Sequence, residues 1–237
     1  MQPPAIRSVL SRHSLPRWSL RLLIVCCSAL SLTAIGNPAL DKLEGLAAQM
    51  HGAETGRIVA EWIRMQDDVR PAPHSEQLER INTFFNRRLS FEDDLVIWKT
   101  KDFWATPFES MSRKAGDCED FAIAKYITLR LLDVPDEKLR LIYVRAQIGG
   151  ASSGISQAHM VLGYFETPTS DPLILDNLTG EIRPASRRPD LSPVFSFNSA
   201  GLWVAGANTS TADPTARLSR WRDVLARMQA EGLSLPQ

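Results

Sequence analysis

Three residues of this 237-residue chain are of the types that make a nucleophile, a base and an orienting carboxylate: Cys118, His159 and Asp176. Cys118 follows Gly116-Asp117 at the predicted start of a helix over 118–132. That helix meets no breaker before Asp133-Val134-Pro135-Asp136. Free N–H groups at a helix N-terminus lower a thiol pKa and can hold an oxyanion when a carbonyl is attacked. His159 falls near the start of a predicted strand over 158–165, and Asp176 toward the end of another over 173–178. A hairpin turn centred on 167–170 brings Asp176 close to His159 across the pair, within about two residues. The order Cys, His, Asp then suits nucleophilic acyl chemistry. Asn177 is the rival third member, because adjacent strand residues face opposite sides and only one can serve. Taken singly, each residue has a plainer reading: a small buried thiol, a structural histidine, a turn aspartate.

The acids beside the thiol pose a physical question. Asp117, Glu119 and Asp120 oppose its ionisation by like-charge repulsion. As N-cap and first-turn residues they complement the helix dipole. Three carboxylates in four residues also suit a hard cation, whose charge offsets the repulsion. Spacing alone favours capping.

The elements that must position these groups are of two kinds. In the first half, Ile58, Trp62, Ile63 and Met65 recur at helical spacing between Thr55 and Asp67. Pro71-Ala72-Pro73 breaks the chain. Ser75 then reads as an N-cap to a stripe of Leu78, Ile81, Phe85 and Leu89. Residues 91–112 read as irregular. In the second half, residues 139–145 are β-branched and aromatic, 149–154 form a small-residue loop, and 158–165 and 173–178 are further strands. Residues 195–204 hold a fourth, broken by Asn198 and Gly201. Asp213-Pro214 opens a last helix with Leu218, Trp221, Leu225 and Met228 on one face. The fold class is α+β, helices first, packed on an antiparallel sheet. No linker divides residues 37–237, which are expected to form one domain. Trp203 reads as core, Trp104 as a core or cleft aromatic, and Arg187 and Arg188 as a solvated surface pair.

Composition excludes several classes. At 44% apolar and 23% charged the chain is neither disordered, collagenous nor coiled coil. Zero net charge argues against a nucleic-acid binder working through a basic face. Residues 1–36 carry Arg7, Arg12, Arg17 and Arg21 and no acid, then a short apolar run from Leu22 to Leu32, then Ala34-Ile35-Gly36. This reads as a signal peptide cleaved near Gly36; an uncleaved anchor is the alternative. The expected location is therefore the periplasm. Removal of the segment leaves a net charge of −4 and one cysteine, Cys118. With no second thiol to resolve a mixed disulfide, a dithiol oxidoreductase is disfavoured.

Gly116-Asp117-Cys118-Glu119-Asp120-Phe121-Ala122 resembles the bacterial transglutaminase-like cysteine proteinases of the LapG type. So do Trp104-Ala105-Thr106-Pro107, Ala158-His159-Met160-Val161-Leu162, Leu175-Asp176-Asn177-Leu178 and Phe197-Asn198-Ser199-Ala200-Gly201-Leu202-Trp203. The resemblance covers roughly residues 55–205. It implies a papain-like or transglutaminase-like core and a Cys118–His159–Asp176 triad. It implies Ca²⁺ bound by Asp117, Glu119 and Asp120, reversing the preference for simple capping. It further implies a periplasmic endopeptidase that cuts the N-terminal region of a large surface adhesin beside a di-alanine type site. Such an enzyme ends biofilm attachment and is held inactive by an inner-membrane LapD-type receptor when cyclic di-GMP is high. Two other readings use the same residues: a protein transglutaminase or amidase on this triad, and a non-catalytic envelope binding module.

Overall fold

A computed structural model describes residues 38–149, 153–205, 207 and 209–236. The expected signal segment, residues 1–36, lies outside the described residues. The amphipathic runs of the first half form helices. α1 (Pro38–His51) and α2 (Ala53–Val69) meet at Gly52, whose φ of 94° favours glycine. α3 (His74–Arg88) begins one residue before Ser75, with Pro73 at the cap position. Its Leu78, Ile81 and Phe85 are buried as the stripe requires.

Residues 91–112 are not irregular throughout. They hold two short helices, α4 (Asp94–Ile97) and α5 (Pro107–Arg113). Four residues are too few to show a period, and α4 starts because the Asp93 side chain accepts from the Leu95 N–H at 2.8 Å. In α5, Pro107 occupies the first helical position, where its missing N–H costs nothing. Thr106 and Glu109 close a capping box around it. Two short parallel strands, β1 (Ser90–Phe91) and β2 (Ala115–Gly116), pair Phe91 with Gly116. That pairing draws the start of α4 toward the residues just before Cys118.

α6 (Cys118–Leu131) is the central helix, and every residue from Asp120 to Arg130 is buried. A helix covered on all sides needs few polar residues, and here α3, α5 and the sheet pack on it while α2 reaches it through Trp62. Trp62 on α2 donates its indole N–H to Thr128 on α6 at 2.9 Å. The sheet has six strands: β3 (Leu139–Gln147), β4 (Ser156–Tyr164), β5 (Leu173–Leu175), β6 (Arg183–Pro184), β7 (Leu191–Phe197) and β8 (Leu202–Val204). Their spatial order is β6-β5-β4-β3-β7-β8, with every pairing antiparallel. Leu141, Met160, Leu162 and Phe197 belong to the core shared with α6. Ile142, Val144, Val161 and Ile174 form a separate apolar cluster.

Three strand expectations change. β5 stops at Leu175, because the Asp176 carboxylate accepts from the Leu178 N–H at 3.0 Å and turns the chain out of the sheet. The fourth strand is a hairpin, β7 and β8, whose turn is built by Asn198: its side-chain oxygen accepts from the Ala200 and Gly201 N–H groups, each at 2.9 Å. Trp203 is half-buried rather than core, with the Arg140 guanidinium 4.1 Å from its ring centre. The last helix also divides at Leu218, into α7 (Pro214–Arg217) and α8 (Ser219–Ala230). Trp221, Val224 and Met228 are its buried face. No helix among the described residues is long and apolar enough to cross a membrane.

Candidate active site

The β4–β5 pairing sets Leu162 opposite Leu175, so Asp176 leaves the sheet beside the early part of β4. There its Oδ1 accepts from His159 Nε2 at 2.8 Å. The imidazole meets Asp176, not Asn177. A carboxylate on Nε2 places the ring proton there and leaves Nδ1 as the nitrogen able to accept one. Both side chains are about 1% exposed. The Asp176 Oδ2 accepts from Arg188 Nη2 at 2.8 Å, and its backbone carbonyl accepts from the Asn86 side chain on α3 at 2.8 Å. Arg188 is therefore not a surface residue. It is 6% exposed and also pairs with Asp190 at 2.8 Å. Burial alone raises the Asp176 carboxyl pKa, but His159, the Leu178 N–H and Arg188 outweigh it and hold the group at about 2.

Cys118 is the first residue of α6 and lines a cavity of about 890 Å³ together with His159. Trp104, Tyr143, Asp94, Asp117 and Glu119 line it too. Trp104 thus joins cleft and core: it is 8% exposed and stacks on Phe197 at 5.7 Å. Cys118 Sγ donates to Glu119 Oε2 at 2.9 Å. The thiol is consequently not lowered by the helix end. Burial first, then the Glu119 charge, pushes its pKa up. Met160 N–H favours the thiolate but is outweighed.

The acids around the thiol form a partly buried group that includes Asp94, which the sequence did not single out. Oxygens of Asp94, Asp117 and Asp120 lie within 4.8 Å of one another, as do ligand atoms of Asp117, Cys118 and Glu119. Asp117 is the member common to both. Asp120 Oδ1 accepts from the Ala105 N–H at 2.7 Å, and its Oδ2 from the Asp117 N–H at 3.3 Å. Asp94 Oδ2 accepts from the Phe103 N–H. Asp94 Oδ1 and Asp117 Oδ1 are buried without a hydrogen-bond partner. Burial, followed by the neighbouring acids, pushes Asp117 up to about 10. Burial likewise raises Asp94 to about 6 and lifts Asp120 well above its ordinary value. Four clustered carboxylates, two of them with a buried unpartnered oxygen, are a donor set that a hard divalent ion satisfies. Asp94 escaped notice because it is 23 residues before Asp117, and only the β1–β2 pairing unites them.

Residues 61–195 match the family model of the bacterial transglutaminase-like cysteine proteinases. No curated protein matches the chain at a significant level. Among solved structures, EGTA-treated LapG of Legionella pneumophila is 40% identical, with a TM-score of 0.69, covering 80% of this chain and 97% of that one. Calcium-bound Legionella pneumophila LapG is 39% identical, with a TM-score of 0.68, covering 80% and 98%. With its transglutaminase-like helix-and-sheet core and this extent of match, the chain belongs to the bacterial transglutaminase-like cysteine proteinases, and it is a cysteine protease.

Proposed function

We propose that this protease is a Ca²⁺-dependent endopeptidase in which Cys118 is the nucleophile, His159 the general base and acid, and Asp176 the orienting carboxylate. The observation that carries the reading is the buried His159–Asp176 hydrogen bond beside a cavity that also holds Cys118 at a helix N-terminus. Cys118 Sγ adds to the scissile carbonyl carbon after giving its proton to His159 Nδ1. The Cys118 N–H at the start of α6 donates to the oxyanion. His159 passes its proton to the leaving amine, the C–N bond breaks and a thioester remains. His159 then takes a proton from water, whose oxygen attacks the thioester and frees the carboxylate product. Asp176 stays ionised throughout and fixes the His159 tautomer.

Asp94, Asp117, Glu119 and Asp120 would hold the Ca²⁺, Asp94 being an addition to the three acids expected from sequence. When bound, the ion would supply positive charge beside the thiol. Support comes from the orphaned buried oxygens here and from the calcium-bound state of the LapG relative.

The substrate class we infer is a large surface adhesin, cut in its N-terminal region so that cell attachment ends. Residues 1–36 support export to the periplasm. The LapG relationship supports control by an inner-membrane LapD-type receptor of cyclic di-GMP. The test incubates the purified protein and its Cys118→Ala variant with envelope proteins, in Ca²⁺ and in chelator, and identifies new peptide N-termini by mass spectrometry. New N-termini in one large surface protein that require both Cys118 and Ca²⁺ are expected. Isopeptide crosslinks without new N-termini, or cleavage indifferent to Cys118, would refute the reading.

A further inference from the structure

The apolar cluster on the sheet that is separate from the α6 core borders a cavity the chemistry does not use. Its volume is about 260 Å³, at the small end for ligand sites. Ile142, Val144, Val161 and Ile174 line it, with Trp203 at one side. Among the described residues its only charged lining groups are two arginines, Arg140 and Arg188. No acid lines it.

Both guanidinium groups are incompletely used. Arg188 is 6% exposed; its Nε and Nη2 reach Asp190 and Asp176, while Nη1 is buried without a hydrogen-bond partner. Arg140 lies over the rings of Trp203 and Phe165, at 4.1 and 4.8 Å, and its Nε is also buried and unpartnered. A buried guanidinium N–H with no acceptor is costly, and a planar carboxylate is its best geometric match. The walls meanwhile exclude anything polar beyond the head.

We propose that this cavity binds a small amphiphile with one carboxylate and an apolar body, of medium-chain fatty acid size, its head at Arg140 and Arg188. Arg188 also joins the cavity to the proposed triad. A carboxylate on Nη1 competes with Asp176 for the guanidinium charge and loosens the clamp behind His159. Occupancy therefore lowers kcat, a consequence that rests on Asp176 orienting His159; the binding itself does not.

The test is calorimetric titration of the full chain with octanoate, with octylamine as the opposite-charge control and acetyl-leucyl-leucine as a peptide carrying the same chemistry. Binding of octanoate at one site per chain, without octylamine binding, is expected. Tighter binding of the dipeptide would assign the same site to a peptide C-terminus. Arg140→Gln should weaken binding about tenfold or more, the loss of a charged hydrogen bond. Ala205→Trp, at an exposed lining position, should abolish it by filling the cavity. Neither variant should change basal turnover. Saturating octanoate should lower kcat with KM unchanged. Equal binding of octylamine, binding indifferent to both substitutions, or inhibition through KM alone would overturn the proposal.

Discussion

The two halves of the candidate active site are built on opposite electrostatic terms. On the strand side, Asp176 is buried but fully answered: His159, the Leu178 N–H and Arg188 take its oxygens. Its charge is stabilised and its pKa held at about 2. On the helix side, Asp94 and Asp120 are buried and Asp117 half-buried beside them, two of their oxygens have no partner, and their pKa values rise. In the proposed mechanism the same residue type therefore serves two purposes: the partnered aspartate orients a base, and the clustered aspartates would hold a cation.

Cys118→Ala should break the chemistry most completely, lowering turnover by about 10⁶-fold to background while leaving thermal unfolding unchanged. Asp176→Asn keeps the shape but loses the charge and the tautomer, so kcat should fall by about 10⁴-fold in the same peptide assay. Arg188→Met attacks the satisfied side directly. It strands a buried carboxylate and should cost about 3–5 kcal/mol in denaturant unfolding.

The contrast also has a pH signature. Asp176 is depressed, so its contribution to stability is complete above the unfolded carboxylate value and is lost only as pH falls toward about 2. Asp94 is raised, so its contribution is complete below the unfolded value and is lost as pH rises through about 6. In chelator, the melting temperature should therefore fall as pH rises above about 4, through about 6 for Asp94 and on toward about 10 for Asp117. Ca²⁺ should remove that fall, and Asp94→Asn should reduce it even without Ca²⁺. The last is the smallest expected effect, because Asp117 and Asp120 remain.

Legibility in the sequence follows the same division. His159, Asp176 and Cys118 could be found because each sits on or beside a strongly patterned element, and the turn centre expected at 167–170 contains the observed one at 168–169. Arg188 could not. It follows a short 3-10 turn (Ala185–Arg187) and adjoins Pro189, and nothing in that composition distinguishes a buried cation from a solvated one. Asp94 was hidden for another reason: α4 is too short for a period, and its nearness to Asp117 depends on a two-residue strand pair. α5, inside the stretch read as irregular, is only seven residues long, and Pro107 shows its role as a first-turn residue only once the Thr106–Glu109 cap is seen. Local pattern reveals elements; the satisfaction of buried charge appears only once distant segments meet.

The central claim is that a cation in the acid group is what lets the Cys118 thiol ionise. It is tested most directly by the rate at which iodoacetamide alkylates Cys118, followed by peptide mass across pH, in Ca²⁺ and in chelator. Alkylation at neutral pH with Ca²⁺ and its suppression by chelator are the expected result. Identical rate–pH profiles in the two conditions would contradict it.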